Sequence, residues 1–358
     1  MGFGPPHPMM FPLTPSEDRA RLPVVVLSGF LGSGKTTLLN RLLRDPAFAA
    51  SAVIVNEFGE VGLDHLLIEA VDGDRLVLTT GCICCAARGD LLAVVEGLME
   101  RRRVGALAFD RIVIETTGLA DPGPILNALL LGPALAGDVR LAGVLTLVSA
   151  IDGDVVLDRH DEARRQVALA DRLLVTKADL AIAATARLHG RLATLNPAAP
   201  IDDVRDVVDA AALLDMGAGS FDRTAAAGRG HRHHHAADAR IRAVILEAGT
   251  VDATRLGGFV TVAQERHGAA LLRLKGVAAL RHDPGRPAVV QAVGHLLHPV
   301  TPLRDWSGAD PRTRLVAILD GVDPAAVESL WDAFFGPPAI DRPDAAALVG
   351  DDGPGLFG

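Results

Sequence analysis

Eight residues near the amino terminus constrain the fold more than any other stretch. Gly29-Phe30-Leu31-Gly32-Ser33-Gly34-Lys35-Thr36 fits the pattern Gly-x-x-x-x-Gly-Lys-Thr in full. It is preceded by a β-branched apolar run, Leu22 to Leu27, and followed by a helical pattern, Lys35 to Arg44. Strand, glycine loop and helix in that order are the context in which this pattern holds phosphate. Gly29, Gly32, Ser33 and Gly34 let backbone N–H groups close around phosphate oxygens at a helix N-terminus, where the dipole favours negative charge. Lys35 brings a cation to the β and γ phosphates, and Thr36, with Thr37 beside it, brings a hydroxyl to Mg²⁺. The bland reading, a plain glycine-rich turn before a helix, leaves the full pattern and its context unexplained.

Two more signals follow in chain order. Arg111 to Ile114 is an apolar run ending in Glu115, with Thr116-Thr117-Gly118 next. Glu115 and Gly118 stand where a P-loop enzyme has Asp-x-x-Gly at a strand end, organising Mg²⁺ and water. The longer Glu side chain suits polarising the attacking water, or reaching Mg²⁺ through a second water. The third signal is Leu173-Leu174-Val175-Thr176-Lys177-Ala178-Asp179. An Asp here accepts hydrogen bonds from guanine N1 and N2 while the Lys stem packs on the base, and Thr176 replaces the more usual Asn. Adenine lacks those donors and would leave the carboxylate unpaired, so GTP is the expected nucleotide. A kinase acting on a small acceptor is the rival enzyme class; the guanine motif and the lack of a recognisable acceptor lid speak against it.

Further short apolar runs at Ala52–Val55, Leu76–Leu78, Leu141–Val148 and Arg172–Val175 alternate with helix-like stretches such as Asp90–Arg102 and Asp161–Ala170. Strands alternating with helices predict an α/β domain with a mainly parallel, doubly wound sheet, and ligands in such sheets collect at the carboxyl ends of the strands. Periodicity lapses between Met216 and Asp238, which ends in the run His231, Arg232, His233, His234, His235 and reads as a linker. The His run is either a metal-loading tract or a basic stretch without function. Strands at Ile241–Ala248, Ala270–Leu274, Ala288–Val293 and Arg314–Leu319, with helices near Asp252–His267 and Asp323–Phe335, predict a smaller α+β domain with a mainly antiparallel sheet. The expected organisation is a flexible N-terminus over 1–20, a nucleotide domain over 21–215, a linker over 216–238, a second domain over 239–336 and a flexible tail over 337–358.

A net charge of -9 and a pI near 5.7 argue against a general grip on nucleic acid, which needs an excess of Lys and Arg. The apolar runs fall well short of the roughly 20 residues that span a bilayer, so no membrane segment is expected. Met1 to Ser16 lacks the basic start and apolar core of a secretory signal, and Pro6 stands where a myristoylation signal has Ser or Thr. A cytoplasmic protein is expected.

The 3 cysteines of the chain are Cys82, Cys84 and Cys85, so no remote thiol is left for a disulfide framework. Thiolates at i, i+2 and i+3 converge on one soft ion, but three fall one short of a closed tetrahedral site. The fourth ligand would be a carboxylate, a His, water or a group from a second chain, and an open site is what metal transfer requires. Buried packing and a redox pair built on Cys82 and Cys85 are the competing readings. Isolated His65, His282, His295 and His298 read as ordinary fold residues.

Taken together, Gly29–Asn40 (GFLGSGKTTLLN), Asn56–Gly62 (NEFGEVG), Gly81–Cys85 (GCICC), Glu115–Pro122 (ETTGLADP) and Thr176–Asp179 (TKAD) resemble the CobW family of metal-handling P-loop GTPases. Leu274-Lys275-Gly276, Gln291-Ala292-Val293-Gly294 and Trp306 resemble that family's second domain more loosely. The resemblance implies that Asn56–Asp64 is switch I, that Gly118 begins switch II, and that Cys82, Cys84 and Cys85 bind zinc or cobalt, with Glu57 and Glu60 as candidates for the extra ligand. Glu in the place of Glu115 is itself similar to the family. Ala120-Asp121-Pro122 is more like the zinc-directed members than the cobalamin-directed ones. The implied function is a GTP-hydrolysing metallochaperone that hands its metal to a client metalloprotein, with a homodimer as one way to close the metal site. A nucleotide-binding metal sensor or store without turnover, and cobalt delivery for cobalamin synthesis, are the alternatives.

Overall fold

In a computed structural model the described residues are 21–48, 50–56, 67–71, 75–80, 88–131, 135, 137–206, 213, 240–297, 300–303, 305, 306 and 311–336. The amino-terminal unit contains β1 (Leu22–Gly29), α1 (Lys35–Leu42), β2 (Ser51–Asn56), β3 (Leu67–Val71), β4 (Arg75–Thr80), α2 (Arg88–Arg103), β5 (Arg111–Glu115), α3 (Gly123–Leu131) and β6 (Val139–Ser149). It continues with α4 (Gly153–Arg159), α5 (Asp161–Leu169), β7 (Arg172–Thr176), α6 (Ile182–Leu195) and β8 (Ile201–Asp203). The strands form one sheet in the order β3-β4-β2-β5-β1-β6-β7-β8, parallel throughout except for the β3–β4 pair. Central strands read as unbroken apolar runs because both faces are covered: Val24, Val26, Ile112 and Ile114 lie in a core with α2 and α3, and Val25, Leu27 and Val113 in another with α1. β3 escapes the sequence reading although Asp72-Gly73, between its run Leu67-Ile68-Glu69-Ala70-Val71 and β4, is a hairpin turn signal in the sequence.

The second unit contains β9 (Ile241–Ala248), β10 (Thr250–Val251), α7 (Ala253–His267), β11 (Leu271–Leu280), β12 (Pro287–Val293), β13 (Leu296–Leu297), β14 (Thr301–Pro302), β15 (Thr313–Asp320) and α8 (Pro324–Phe335). Its sheet runs β13-β12-β11-β15-β9 with antiparallel pairings, while β10 and β14 pair at the margins. Alternation along β15 sorts the two faces: Leu315, Ala317 and Leu319 pack on α7 and α8, whereas Val316 and Ile318 share a core with Leu157, Val167, Leu188 and Leu192 of the first unit. α7 and α8 are capped at Asp252 and Asp323, whose carboxylates accept backbone N–H groups of their first turns.

β11 runs from Leu271 to Leu280, twice the length of the strand expected at Ala270–Leu274, and every position along it is buried. Lys275-Gly276 looks like a break in the sequence, yet both residues have a reason to be inside. A side chain at Gly276 would place its Cβ 2.0 Å from the Arg314 carbonyl oxygen, so only glycine lets β15 close on this strand. Lys275 and Arg273 point at the first unit and share Asp171, the residue before β7: Lys275 Nζ donates to Asp171 Oδ1 at 2.5 Å, and the Arg273 guanidinium donates to the same oxygen. Asp171 Oδ2 accepts the Val144 N–H at 2.8 Å, and Arg273 also donates to the Leu169 carbonyl. Burial pushes the Asp171 pKa up, but the two cations and the Val144 amide outweigh it and hold the group at about 2. Lys275 is the weaker partner, since burial and the neighbouring guanidinium pull its pKa down against the pull of Asp171. The second unit thus grips the root of the strand whose far end is Thr176. Among the described residues no helix is long and apolar enough to cross a membrane.

Candidate functional site

The predicted nucleotide-site residues among the described ones gather at the carboxyl edge of the parallel sheet. Register places Leu27 beside Glu115, Glu115 beside Val55, Asn56 beside Thr80 and Ser149 beside Thr176, so the segments after β1, β2, β4, β5 and β7 all leave from one edge. β1 ends at Gly29, with φ of 140°; a Cβ there would lie 2.5 Å from the Leu147 carbonyl oxygen and 2.7 Å from Ser33 Oγ. Glycine therefore lets the chain leave the sheet hard against β6. The Ser33 N–H donates back to the Phe30 carbonyl at 3.1 Å, and α1 starts at Lys35 with no acidic residue in its first turn. Its amino end keeps the partial positive charge that favours an anion.

Lys35 is buried, and its ammonium donates to the Gly29 and Phe30 carbonyls at 2.9 and 3.2 Å, lying across the loop it serves. One residue on, Thr36 Oγ1 donates to Glu115 Oε1 at 2.7 Å across the gap from α1 to β5. The longer Glu side chain thus reaches the threonine, and the two oxygens form a hard donor pair of the kind Mg²⁺ takes. Thr37 follows on α1 and is exposed. Gly118 is buried in the loop after β5, close against the Leu31 backbone nitrogen, from which a Cβ would stand only 2.6 Å.

The guanine-motif residues close the other side. Thr176 Oγ1 donates to the Ser33 carbonyl at 2.8 Å, so threonine in place of the usual asparagine still ties this segment to the phosphate loop. Lys177 adopts a left-handed φ of 57° and donates to the Gly32 carbonyl at 2.8 Å. A non-glycine residue held in that region is strained, and such strain concentrates at binding sites. Asp179 stands exposed in the short turn Ala178–Leu180, its carboxylate open to a ligand base. The ring of Phe30 stacks on His160 with centroids 4.4 Å apart, joining the loop to the α4–α5 junction.

Cys82, Cys84 and Cys85, the proposed switch I residues Glu57 and Glu60, His65, His298 and the His231–His235 run lie outside the described residues. Among the described residues no group of three His, Cys, Asp or Glu side chains converges on one point. His282 and His295 are exposed on the second unit.

Residues 23–203 match the family described as CobW/HypB/UreG, nucleotide-binding domain, and residues 241–335 match the cobalamin synthesis protein cobW C-terminal domain. The chain belongs to the CobW/HypB/UreG family. Similar CobW/HypB/UreG proteins include the zinc chaperone YjiA of Escherichia coli strain K12, 35% identical over 303 residues that span 82% of this chain and 93% of the relative. The zinc chaperone CobW of a Sinorhizobium species is 29% identical over 366 residues, spanning 90% of this chain and 99% of that one. The crystal structure of Zn(II)-bound YjiA GTPase from E. coli superposes with a TM-score of 0.70 at 28% identity, covering 88% of this chain and 99% of that one.

One buried polar side chain beside the site of this CobW/HypB/UreG fold escapes the sequence reading. Gln166 on α5 is 1% exposed and donates to the carbonyls of Gly118 and Ala120 at 3.1 and 2.9 Å. The available signal is its place on the apolar face of α5, beside Val167 and three residues after Ala163. A polar side chain on a buried helix face needs a partner.

Proposed function

We propose that the chain is a GTP-hydrolysing metallochaperone that binds zinc at Cys82, Cys84 and Cys85 and passes it to a client metalloprotein. The observation that carries this reading is the shared sheet edge: β4 ends at Thr80, two residues before the first cysteine, in register with β2 and on the edge that holds the phosphate loop. Membership of the CobW/HypB/UreG family and two relatives named zinc chaperones support zinc as the cargo. Cobalt is the alternative ion for the same thiolates.

In this reading the Gly29–Gly34 amides and Lys35 bind the triphosphate, Lys35 exchanging its carbonyl partners for the β and γ phosphates. Thr36 and Glu115 would hold Mg²⁺, which neutralises charge on the phosphate oxygens when bound. Glu115 orients the attacking water, and Gly118 opens the loop that meets the γ-phosphate. Asp179 reads guanine through N1 and N2, and the Lys177 stem covers the base while Thr176 keeps the base and phosphate loops together. GTP bound there orders Asn56–Asp64 and the cysteine segment together, and hydrolysis releases both. Moving the metal site from mostly filled to mostly empty needs a differential of about 5.5 kcal/mol between the two nucleotide states. Loss of the γ-phosphate contacts is an event of the kind that collapses switch segments.

The test is a zinc titration of tag-free protein with a non-hydrolysable GTP analogue and with GDP, repeated with cobalt. Tighter binding in the triphosphate state is expected. Equal affinities in the two states would remove the mechanism.

A further inference from the structure

Two neighbouring side chains of α5 reach out onto the loop that follows β5. Gln166 donates to two carbonyls of that loop, Gly118 at 3.1 Å and Ala120 at 2.9 Å. Arg165 donates to Asp121 Oδ2 at 2.9 Å with one terminal nitrogen and to Asp320 Oδ2 at 2.7 Å with the other. Asp121 in turn accepts the Gly123 N–H at 2.8 Å, which fixes its carboxylate at the head of α3. Asp320 ends β15 in the second unit, has a side chain only 5% exposed, and takes Arg240 Nε at 2.5 Å on its other oxygen.

Thr116 is pinned to β1 through the Leu27 carbonyl, and Gly123 opens α3. Between them α5 supplies three hydrogen bonds to the loop. A trans peptide sets each C=O antiparallel to the next N–H. Drawing the Gly118 and Ala120 carbonyls toward α5 therefore turns the Leu119 and Asp121 amides away from the helix. Because Gly118 lies against Leu31 of the phosphate loop, a shift of this segment changes the wall of the phosphate site directly. The same helix packs on the second unit, where Ala163 and Val167 share a core with Val316 and Ile318.

We propose that Gln166 and Arg165 are positioning residues for hydrolysis: Gln166 sets the direction of the loop amides, and Arg165 makes that setting depend on Asp320 in the second unit. The proposal rests on the GTPase reading above. Gln166 and Arg165 hydrogen-bond to the γ-phosphate side of the site, at Gly118, Ala120 and Asp121, and not to the Gly29–Thr36 loop or the Thr176–Asp179 turn, so the effect is on the rate of the chemical step and not on the binding of the product nucleotide. Arg165 is the element through which a change in the second sheet, such as engagement of a partner, reaches the site of hydrolysis.

The experiment compares full-length wild type with Gln166→Ala, Arg165→Lys and Asp320→Asn. Amide exchange is followed by mass spectrometry without nucleotide, and kcat and KM for GTP and Kd for GDP are measured on the same samples. Gln166→Ala is expected to speed exchange in 117–122 at least tenfold and to lower kcat at least tenfold, with Kd for GDP within twofold of wild type. Asp320→Asn and Arg165→Lys are expected to lower kcat about threefold or more, again with GDP binding kept. Should Gln166→Ala fail to fold, these two milder changes carry the test. Wild-type kcat in all three variants overturns the proposal, as does a fall in kcat matched by an equal loss of GDP affinity. A wild-type protein that exchanges as described but turns over no GTP overturns the hydrolase reading instead, and with it any role of these residues in hydrolysis.

Discussion

Replacing Asp171 by Asn removes the carboxylate that two buried cations share. The side chains of Asp171, Arg273 and Lys275 are 4%, 3% and 3% exposed, so solvent does little to screen the change. Breaking a buried charge set by removing one partner costs about 3–5 kcal/mol, because what remains is charge without compensation. The depressed pKa points to the same order: holding Asp171 at about 2 against an ordinary value near 3.9 corresponds to about 2–3 kcal/mol. The expected cost at pH 7 is therefore about 2–4 kcal/mol, which is a Tm lower by several degrees. The acid's folded pKa is depressed, so its contribution is complete above its ordinary value and fades as pH falls through about 2. Urea unfolding followed by circular dichroism should show a constant gap between wild type and Asp171→Asn from pH 5 to pH 7, shrinking below pH 4. The triple change Asp171→Leu, Arg273→Met, Lys275→Met should recover most of the loss, since an apolar set of similar volume avoids the desolvation cost. A gap under about 1 kcal/mol at pH 7, or one that widens on acidification, would refute the assignment of this triad as the charged seal between the two units.

Lys35→Ala should lower GTP turnover by about 100-fold or more, as removal of one charge-stabilising donor does elsewhere, while the melting temperature stays within a few degrees. Asp179→Ala should weaken GTP binding at least tenfold and leave ATP binding unchanged, measured by fluorescence competition; parallel losses for both nucleotides would contradict its role in reading guanine. Cys84→Ala should weaken zinc binding at least 100-fold against a competing chelator, and wild-type affinity would place the metal elsewhere.

The phosphate loop, Glu115 and the guanine motif are legible in the sequence because each is a contiguous stretch whose chemistry is local to one strand end. The structure brings them to one sheet edge, where Thr36 also donates to Glu115, a bond that the separate motifs do not announce. What joins them to the rest is not local. Gln166 meets Gly118 at a separation of 48 residues, Arg165 meets Asp320 at 155, and Lys275 meets Asp171 at 104. No pattern of periodicity or spacing reports a pair so far apart. β11 is longer than its sequence pattern suggests for the same reason: Lys275 looks like a solvated end until its partner in the other unit is known, and Gly276 looks like a turn until β15 is laid beside it. The cysteine segment is plain in the sequence and lies outside the described residues, so its role rests on chemistry and on the strand end that leads to it.

The sheet of the second unit presses an apolar face, charged at Arg273, Lys275 and Asp320, onto α5, α6 and the root of β7. Severing the polypeptide in the connecting segment and keeping only the front half would bare Leu157, Val167, Leu188 and Leu192 to water and strip Asp171 of both counterions. Such a fragment would be sticky and loosened behind the Ala178–Leu180 turn. Measurements made on it would describe a damaged domain, because the rear half is a wall of the engine housing, not a trailer hitched behind it.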